Sequence, residues 1–229
     1  MKTSPYRLVA FDVDGTIVKS HTGEVVWQLL NRRYGVPEEL AQERFESVLA
    51  GNLSYAEWVS LDIQSWIAAG ARRPEIARVI RDNLFLVPGT LEALGELRTA
   101  GCALAVISGT LDITLDLLLP EHPFSHVYTN CISFDAEGRI CGWQATEYDM
   151  EGKTRALHAV AARCGVSLAQ TVFVGDNIND VHAMREAGLA VAFEPKHDAV
   201  VKAAGKVVRG DLRDVANAVL TPRRSGVSP

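Results

Sequence analysis

The stretch Leu8-Val9-Ala10-Phe11-Asp12-Val13-Asp14-Gly15-Thr16 is the part of this 229-residue chain that decides its fold. Its first four residues are apolar, and the run ends abruptly at two acids and a glycine. A short apolar run bounded in this way is typical of a buried strand in a parallel sheet that leads into a functional loop. We therefore predict the first strand of an α/β core here, with polar chemistry where the strand ends.

Four further apolar runs are predicted to be strands of the same kind, at residues 103–107, 171–174, 189–193 and 207–208. Helical patterns lie between them, at residues 90–100, 112–119, 153–164 and 180–187. Strands that alternate with helices of about ten residues indicate an α/β fold, a doubly wound parallel sheet with a Rossmann-like core. Ligands bind beyond the carboxyl ends of such strands, so the polar residues that end three of them are expected to meet.

The region from Val18 to Leu86 interrupts this alternation, because it shows four helical patterns and no convincing strand. We predict that residues 18–84 form a small all-helical cap inserted into a core made of residues 1–17 and 85–229. Three tryptophans of the insertion, Trp27, Trp58 and Trp66, are expected mainly in its apolar core. A second excursion at residues 128–144 alternates apolar and polar residues and predicts a β-hairpin. A frayed tail is predicted at residues 221–229.

The composition is that of an ordinary globular protein, with 48% apolar and 22% charged residues. It predicts no membrane-spanning segment and no secretory signal, so we expect a cytoplasmic protein. A net charge of −5 argues against nucleic acid as the partner but leaves small anionic ligands open. Cys131 and Cys141 flank the predicted hairpin, yet a disulfide between them is not expected in a reducing compartment.

Four acids are predicted to converge at the strand ends. Asp12 and Asp14 follow the first strand, while Asp176 and Asp180 follow the strand at residues 171–174. Carboxylates at this density call for a hard, oxygen-preferring cation such as Mg²⁺. The alternatives are a simple acidic turn, a calcium loop that lacks the other EF-hand ligands, and a helix-start acid at Asp180.

Two further groups have the chemistry of an anion site. Ser108-Gly109-Thr110 offers a hydroxyl and backbone N–H groups after the strand at residues 103–107. Lys153 stands at a helix start, where a cation is mildly unfavourable, which indicates a carboxylate partner. A helix cap at Ser108 and an exposed surface lysine are the alternatives.

The order of these pieces resembles the haloacid dehalogenase superfamily of phosphatases. Four motifs carry the resemblance: Asp12-Val13-Asp14-Gly15-Thr16, Ser108-Gly109-Thr110, Lys153, and Gly175-Asp176 with Asn179-Asp180. The helical insertion after the first motif and the hairpin resemble the phosphoserine-phosphatase-like branch. The resemblance covers residues 5–17 and 85–220.

This resemblance implies a mechanism and a role for each residue. Asp12 is expected to be the nucleophile that forms an aspartyl-phosphate, and Asp14 the general acid and base. Mg²⁺ is expected on Asp12, on the backbone carbonyl of Asp14 and on Asp176, with support from Asp180. The phosphoryl group or substrate is expected to contact Ser108, the Gly109 N–H, Lys153, Thr16 and Asn179.

The cap departs from the pattern of that branch. A glutamate is expected shortly after the first motif, and an ungapped reading places His21 there. The same reading places Asp62 where an arginine should hold the carboxylate of phosphoserine. A carboxylate there would repel that substrate, so we predict that His21 and Asp62 contact a different one.

The predicted function is Mg²⁺-dependent hydrolysis of a small phosphorylated metabolite. The alternatives are a phosphotransferase or phosphomutase on the same scaffold, and a non-catalytic phosphoacceptor of the response-regulator kind. Asp14 and the cap argue against the phosphoacceptor, since a receiver needs neither. The sequence leaves the substrate and the oligomeric state open.

Overall fold

Nine strands and ten α-helices follow one another in residues 4–221, the part of the chain that the computed structural model describes. The strands are β1 (Leu8–Phe11), β2 (Val18–Ser20), β3 (Leu84–Leu86), β4 (Ala103–Leu111), β5 (His126–Phe134), β6 (Ile140–Gln144), β7 (Thr171–Gly175), β8 (Leu189–Phe193) and β9 (Lys206–Val208). The helices are α1 (Val26–Arg33), α2 (Glu38–Leu49), α3 (Tyr55–Ala68), α4 (Arg73–Asn83), α5 (Thr90–Thr99), α6 (Asp112–Leu118), α7 (Gly152–Cys164), α8 (Val181–Glu186), α9 (Asp198–Ala203) and α10 (Arg213–Leu220).

The main sheet has seven strands in the order β6-β5-β4-β1-β7-β8-β9. Six of them run parallel, and only the edge strand β6 is antiparallel to its neighbour. The first strand lies in the middle, where Leu8 pairs with both Ala103 of β4 and Thr171 of β7. The predicted α/β fold with a doubly wound parallel sheet is therefore confirmed.

The β1 strand is central because all four of its side chains are apolar and can be buried on both faces of the sheet. Leu8 and Ala10 point to one face and pack with residues of α7 and α8. Val9 and Phe11 point to the other face and pack with residues of α5 and α10. The sheet is thus covered by a helical layer on each side, and the carboxyl ends of its strands stay accessible.

The inserted region is helical except at its two ends, where the sequence predicted no strand. Helices α1 to α4 lie between β2 and β3, which pair antiparallel with Val18 opposite Leu86. Three residues a side are too few to give a clear alternating pattern, which explains why the ribbon was not predicted. The domain boundaries at residues 18 and 84 stay predictions.

The predicted hairpin is confirmed as β5 and β6, but it is not a separate excursion. Its first strand pairs parallel with β4 and so extends the main sheet. Cys131 and Cys141 are free, and the register places Cys131 opposite Gln144. None of the helices in residues 4–221 has the length and apolar character that crossing a membrane requires. Residues 222–229 of the predicted core and tail lie outside the described residues.

Candidate active site

Three acids predicted from the sequence meet at the carboxyl ends of β1 and β7. Asp12 directly follows β1, Asp176 directly follows β7, and Asp180 ends a short 3-10 turn after it. All three are buried, and each offers a carboxylate oxygen within 4.8 Å of the others. They meet because β1 and β7 are parallel neighbours, which brings their carboxyl ends to the same edge of the sheet.

Lys153 is the buried cation that holds two of these acids. It lies in the first turn of α7 with only 1% of its side chain exposed. Its Nζ atom donates to Asp12 Oδ1 at 2.6 Å and to Asp180 Oδ1 at 2.7 Å. Burial alone would lower the pKa of Lys153, but these carboxylates raise it well above its usual range. The lysine therefore stays charged inside the protein.

The second oxygen of Asp180 fixes the turn that carries Asp176. Asp180 Oδ2 accepts the backbone N–H groups of Asp176 and Asn177, both at 3.0 Å. Burial raises the pKa of Asp180 to about 6, although the Lys153 ammonium opposes the shift. With both oxygens bonded in this way, Asp180 is placed to orient its neighbours.

The surroundings of Asp176 fit a divalent cation. Within residues 4–221, Asp176 Oδ1 has no hydrogen-bond donor and Oδ2 faces the Lys196 ammonium, although the side chain is buried. Burial, reinforced by Asp12 and Asp180, raises the pKa of Asp176 to about 7. Gly15 has a φ of +96°, and a Cβ there would collide with the Asp176 carboxylate. Closely set carboxylate oxygens are the ligands that Mg²⁺ prefers.

A second cation, Lys196, was not predicted. Its Nζ atom lies 2.8 Å from Asp176 Oδ2, and its backbone N–H donates to the Asp176 carbonyl at 2.9 Å. The signal that could have revealed it is its position shortly after β8, which is the parallel neighbour of β7. A lysine without a recognisable motif does not stand out in a sequence.

Asp14 stands beside this group and faces a cavity. The cavity has a volume of about 240 Å³, and Lys19, Glu24, Asp176 and Lys196 also line it. Burial, reinforced by the neighbouring Asp12 carboxylate, raises the pKa of Asp14 to about 7. A carboxyl group with such a pKa can both give and take a proton near neutral pH.

The predicted anion-binding residues lie at the end of β4, next to β1. The strand continues through them to Leu111, with a register shift between Ile107 and Leu111. Ser108 is buried, and the Gly109 carbonyl accepts Trp27 Nε1 of the insertion at 2.8 Å. The irregular register leaves residues 108–110 outside the regular pairing with β5.

Three further residues that were predicted to contact phosphate or substrate, Thr16, Asn179 and His21, lie in different surroundings. Thr16 is buried, and its hydroxyl has no hydrogen-bond partner among the described residues. Asn179 lies at the site, where its Nδ2 donates to the carboxylate oxygen Asp149 Oδ1 at 3.1 Å. His21 is exposed and stacks on Phe85, with ring centroids 4.7 Å apart.

Asp62 lies inside the insertion. Its Oδ1 accepts Arg44 Nη1 at 2.6 Å, and its Oδ2 accepts Asn31 Nδ2 at 3.1 Å. Trp66 Nε1 in turn donates to Asn31 Oδ1 at 2.7 Å. Both carboxylate oxygens are bonded within the helical insertion, so the structure gives Asp62 a packing environment in place of the predicted substrate contact.

Comparison with protein families agrees with this geometry. A family model described as haloacid dehalogenase-like hydrolase matches residues 6–188. The chain belongs to this family. The match includes all the site residues described above except Lys196, which lies eight residues beyond its end.

Several curated relatives of this haloacid dehalogenase-like hydrolase are phosphoserine phosphatases. The Mycobacterium tuberculosis enzyme is 34% identical over 196 residues, which are 83% of this chain and 44% of that protein. The Methanocaldococcus jannaschii enzyme is 27% identical over 210 residues, or 91% of this chain and 95% of that protein. The chain spans less than half the length of the M. tuberculosis relative and of a Streptomyces coelicolor one.

Solved structures show the same haloacid dehalogenase-like fold. A phospho-aspartyl intermediate analogue of phosphoserine phosphatase has a TM-score of 0.70 at 22% identity, covering 93% of this chain and 99% of that one. A hydrolase of the same superfamily from Salmonella enterica has a TM-score of 0.74 at 18% identity, covering 96% and 73%. At this identity the likeness concerns the fold.

Three further polar residues of this chain meet at Gly109 without having been predicted. Asn130 of β5 donates from Nδ2 to the Gly109 carbonyl and to the Tyr55 hydroxyl, both at 2.7 Å. A Cβ at Gly109 would collide with the Asp149 carboxylate and lie 3.0 Å from the Tyr55 oxygen. Each of the three comes from a different element, and only the folded chain brings them together.

Proposed function

We propose that this chain hydrolyses phosphate monoesters of small molecules through an aspartyl-phosphate on Asp12, with Mg²⁺ as cofactor. The observation that carries the proposal is the buried ion triad of Asp12, Lys153 and Asp180 at the carboxyl ends of the sheet. Removing two acids and a lysine from water is costly, and a purely structural role is served more cheaply by apolar residues.

Asp12 is the nucleophile in this proposal. One of its oxygens is hydrogen-bonded to Lys153, which holds the carboxylate in a fixed orientation. The other oxygen attacks phosphorus, and the bond between phosphorus and the ester oxygen breaks. A nucleophile fixed in this way loses little orientational freedom in the transition state.

Asp14 acts as the general acid in the first step and as the general base in the second. In the first step it gives its proton to the departing ester oxygen, so the product leaves as an alcohol. In the second step it takes a proton from a water molecule, whose oxygen attacks phosphorus. The bond between phosphorus and Asp12 breaks, inorganic phosphate is released, and both aspartates return to their starting states.

Ser108, the Gly109 N–H and Lys153 stabilise the charge on the transferring group. The first two lie at the irregular end of β4, and Lys153 contributes a full positive charge. Asp12, Asp176 and the Asp14 carbonyl are the groups that would hold Mg²⁺, with Asp180 in support. When bound, the ion neutralises phosphoryl oxygens and so favours attack by an anion.

The substrate is proposed to be a monoester other than phosphoserine. An arginine can hold a substrate carboxylate only when its guanidinium is not already bonded to other groups of the protein. The guanidinium of Arg44 is occupied by Asp62 and Ser65 within the insertion. A net charge of −5 supports a small metabolite over a nucleic acid as the partner.

The experiment is phosphate release from a broad panel of phosphorylated metabolites that includes phosphoserine, in Mg²⁺ and in EDTA. We expect release from a few compounds in Mg²⁺ and none in EDTA. Asp12→Asn serves as the inactive control. Preferred hydrolysis of phosphoserine would contradict the proposed substrate class while leaving the reaction intact.

No phosphate release from any compound of the panel would contradict the proposed hydrolysis. A stable phosphorylated Asp12 would then indicate the phosphoacceptor alternative. A stoichiometric requirement for a bisphosphate would indicate a mutase, because that cofactor supplies the phosphoryl group that the enzyme passes on.

A further inference from the structure

Asp149 is a carboxylate at the site to which the mechanism above gives no role. It lies in the segment between β6 and α7, with 10% of its side chain exposed. Its Oδ1 accepts Asn179 Nδ2 at 3.1 Å and lies 4.0 Å from Lys153 Nζ. Its other oxygen rests against Gly109, where a Cβ would collide with it.

The groups around Asp149 are the ones expected to bind phosphate. Lys153, Gly109 and Asn179 were each assigned to the phosphoryl group or substrate from the sequence, and all three contact this one carboxylate. A carboxylate and a phosphoryl group share the same requirement for cations and N–H donors. Both cannot use these three residues at once.

We propose that Asp149 is an internal competitor for the phosphate subsite, a positioning residue that must leave for phosphate to enter. Before phosphate binds, the Asp149 carboxylate is attracted to the Lys153 ammonium and partly neutralises its charge. Entry of phosphate then transfers Asn179 and Lys153 from Asp149 to the ligand. This inference rests on the proposed function, since it assumes that phosphate binds at Gly109.

Two residues of the helical insertion contact the groups that take part in this exchange of Asp149 for phosphate. Tyr55 of α3 lies beside Asp149, and burial together with this carboxylate raises the pKa of the Tyr55 hydroxyl well above its usual range. Trp27 of α1 contacts Gly109 through its hydrogen bond to the carbonyl. Movement of Asp149 therefore alters the contact between α3 and the core, which links phosphate binding to the position of the cap.

The test is calorimetric titration of inorganic phosphate into the Mg²⁺-loaded protein, comparing wild type with Asp149→Asn. The amide keeps the size of the side chain and removes its charge about 4 Å from Lys153, so phosphate should bind about fivefold more tightly or better. Glu147→Gln is the matched control, because it removes an exposed charge from the same segment. The control should bind phosphate as wild type does.

Equal or weaker phosphate binding by Asp149→Asn would overturn this inference and leave the proposed function standing. Absence of phosphate binding in all three proteins, with no hydrolysis of the metabolite panel, would overturn both. Hydrogen exchange on the wild type supplies a measurement that needs no variant. Phosphate should speed exchange in residues 145–151, and slower exchange there would count against the proposal.

Discussion

Lys153 shows how much of the site depends on burial. At the surface its ion pairs with Asp12 and Asp180 would each contribute at most about 1 kcal/mol. Buried, the three charges depend on one another, and losing one partner costs about 3–5 kcal/mol. The lysine therefore fixes Asp12 in place and offsets part of the negative charge of the acids.

Replacing Asp12 with Asn should lower turnover at least about a thousandfold, because the amide cannot form the phosphoryl intermediate. The measurement is phosphate release from the best substrate of the panel. Asp116→Asn on the exposed side of α6 is the control and should stay active. Unchanged turnover in the Asp12 variant would refute the mechanism.

Replacing Lys196 with Met should tighten Mg²⁺ binding about fivefold or more, because it removes a positive charge 2.8 Å from Asp176. Calorimetric titration of Mg²⁺ measures the affinity directly and needs no substrate. Lys19→Met is matched to it, since Lys19 lines the same cavity but pairs with Glu194 at 3.6 Å. Weaker binding in the Lys196 variant would show that the lysine supports the ion.

The residues that the sequence predicted well are those with a local signature. Asp12, Asp176 and Asp180 follow apolar strands, so their position at the sheet edge could be inferred from the strand pattern alone. Asp149, Tyr55 and Lys196 have no such signature, because their partners lie on other elements. His21 and Asp62 were assigned by counting along an insertion, where a shift of a few residues changes which side chain faces the core.

At the scale of elements, the helices of the insertion are held together by polar contacts as well as by packing. Asp62 of α3 bonds to Arg44 of α2 and Asn31 of α1, so one carboxylate links three helices. In the core, strand and helix periodicity predicted most elements. It did not predict the β2–β3 ribbon, since its pairing depends on residues 18 and 86 meeting in space.

Replacing Asp62 with Ala should lower the free energy of unfolding by about 3–5 kcal/mol, because it leaves the Arg44 guanidinium without its partner. Urea unfolding followed by tryptophan fluorescence measures the change. Asp82→Ala, an exposed acid of α4, should change it little. A stable Asp62 variant with altered substrate preference would restore the prediction that this residue contacts substrate.

At the scale of the whole molecule, ion binding and stability are one equilibrium. Lys153 and Lys196 offset part of the negative charge of the acids at the candidate site. A bound cation would relieve the repulsion that remains, so any ion held there adds its binding free energy to the fold. The repulsion between these carboxylates is confined to the edge where β1 and β7 end. The apolar residues that cover the two faces of the sheet carry no charge and do not reduce it.

Mg²⁺ at one hundred times its dissociation constant should stabilise the native protein by about 2.7 kcal/mol. For a chain of this length that corresponds to a rise in Tm of about 5–10 °C. Thermal unfolding in Mg²⁺ and in EDTA measures it. Asp176→Asn should be more stable than wild type in EDTA and gain little from Mg²⁺, and an equal gain would place the ion elsewhere.

The central place of β1 has a consequence for biosynthesis. Its four apolar residues are synthesised well before its partners on either side, which begin at Ala103 and Thr171. At roughly 5–20 residues per second, the second partner is made about ten to thirty seconds after β1. Throughout that interval β1 lacks at least one of its two partner strands, and the helices of the insertion can fold before Asp12 meets the acids that follow β7.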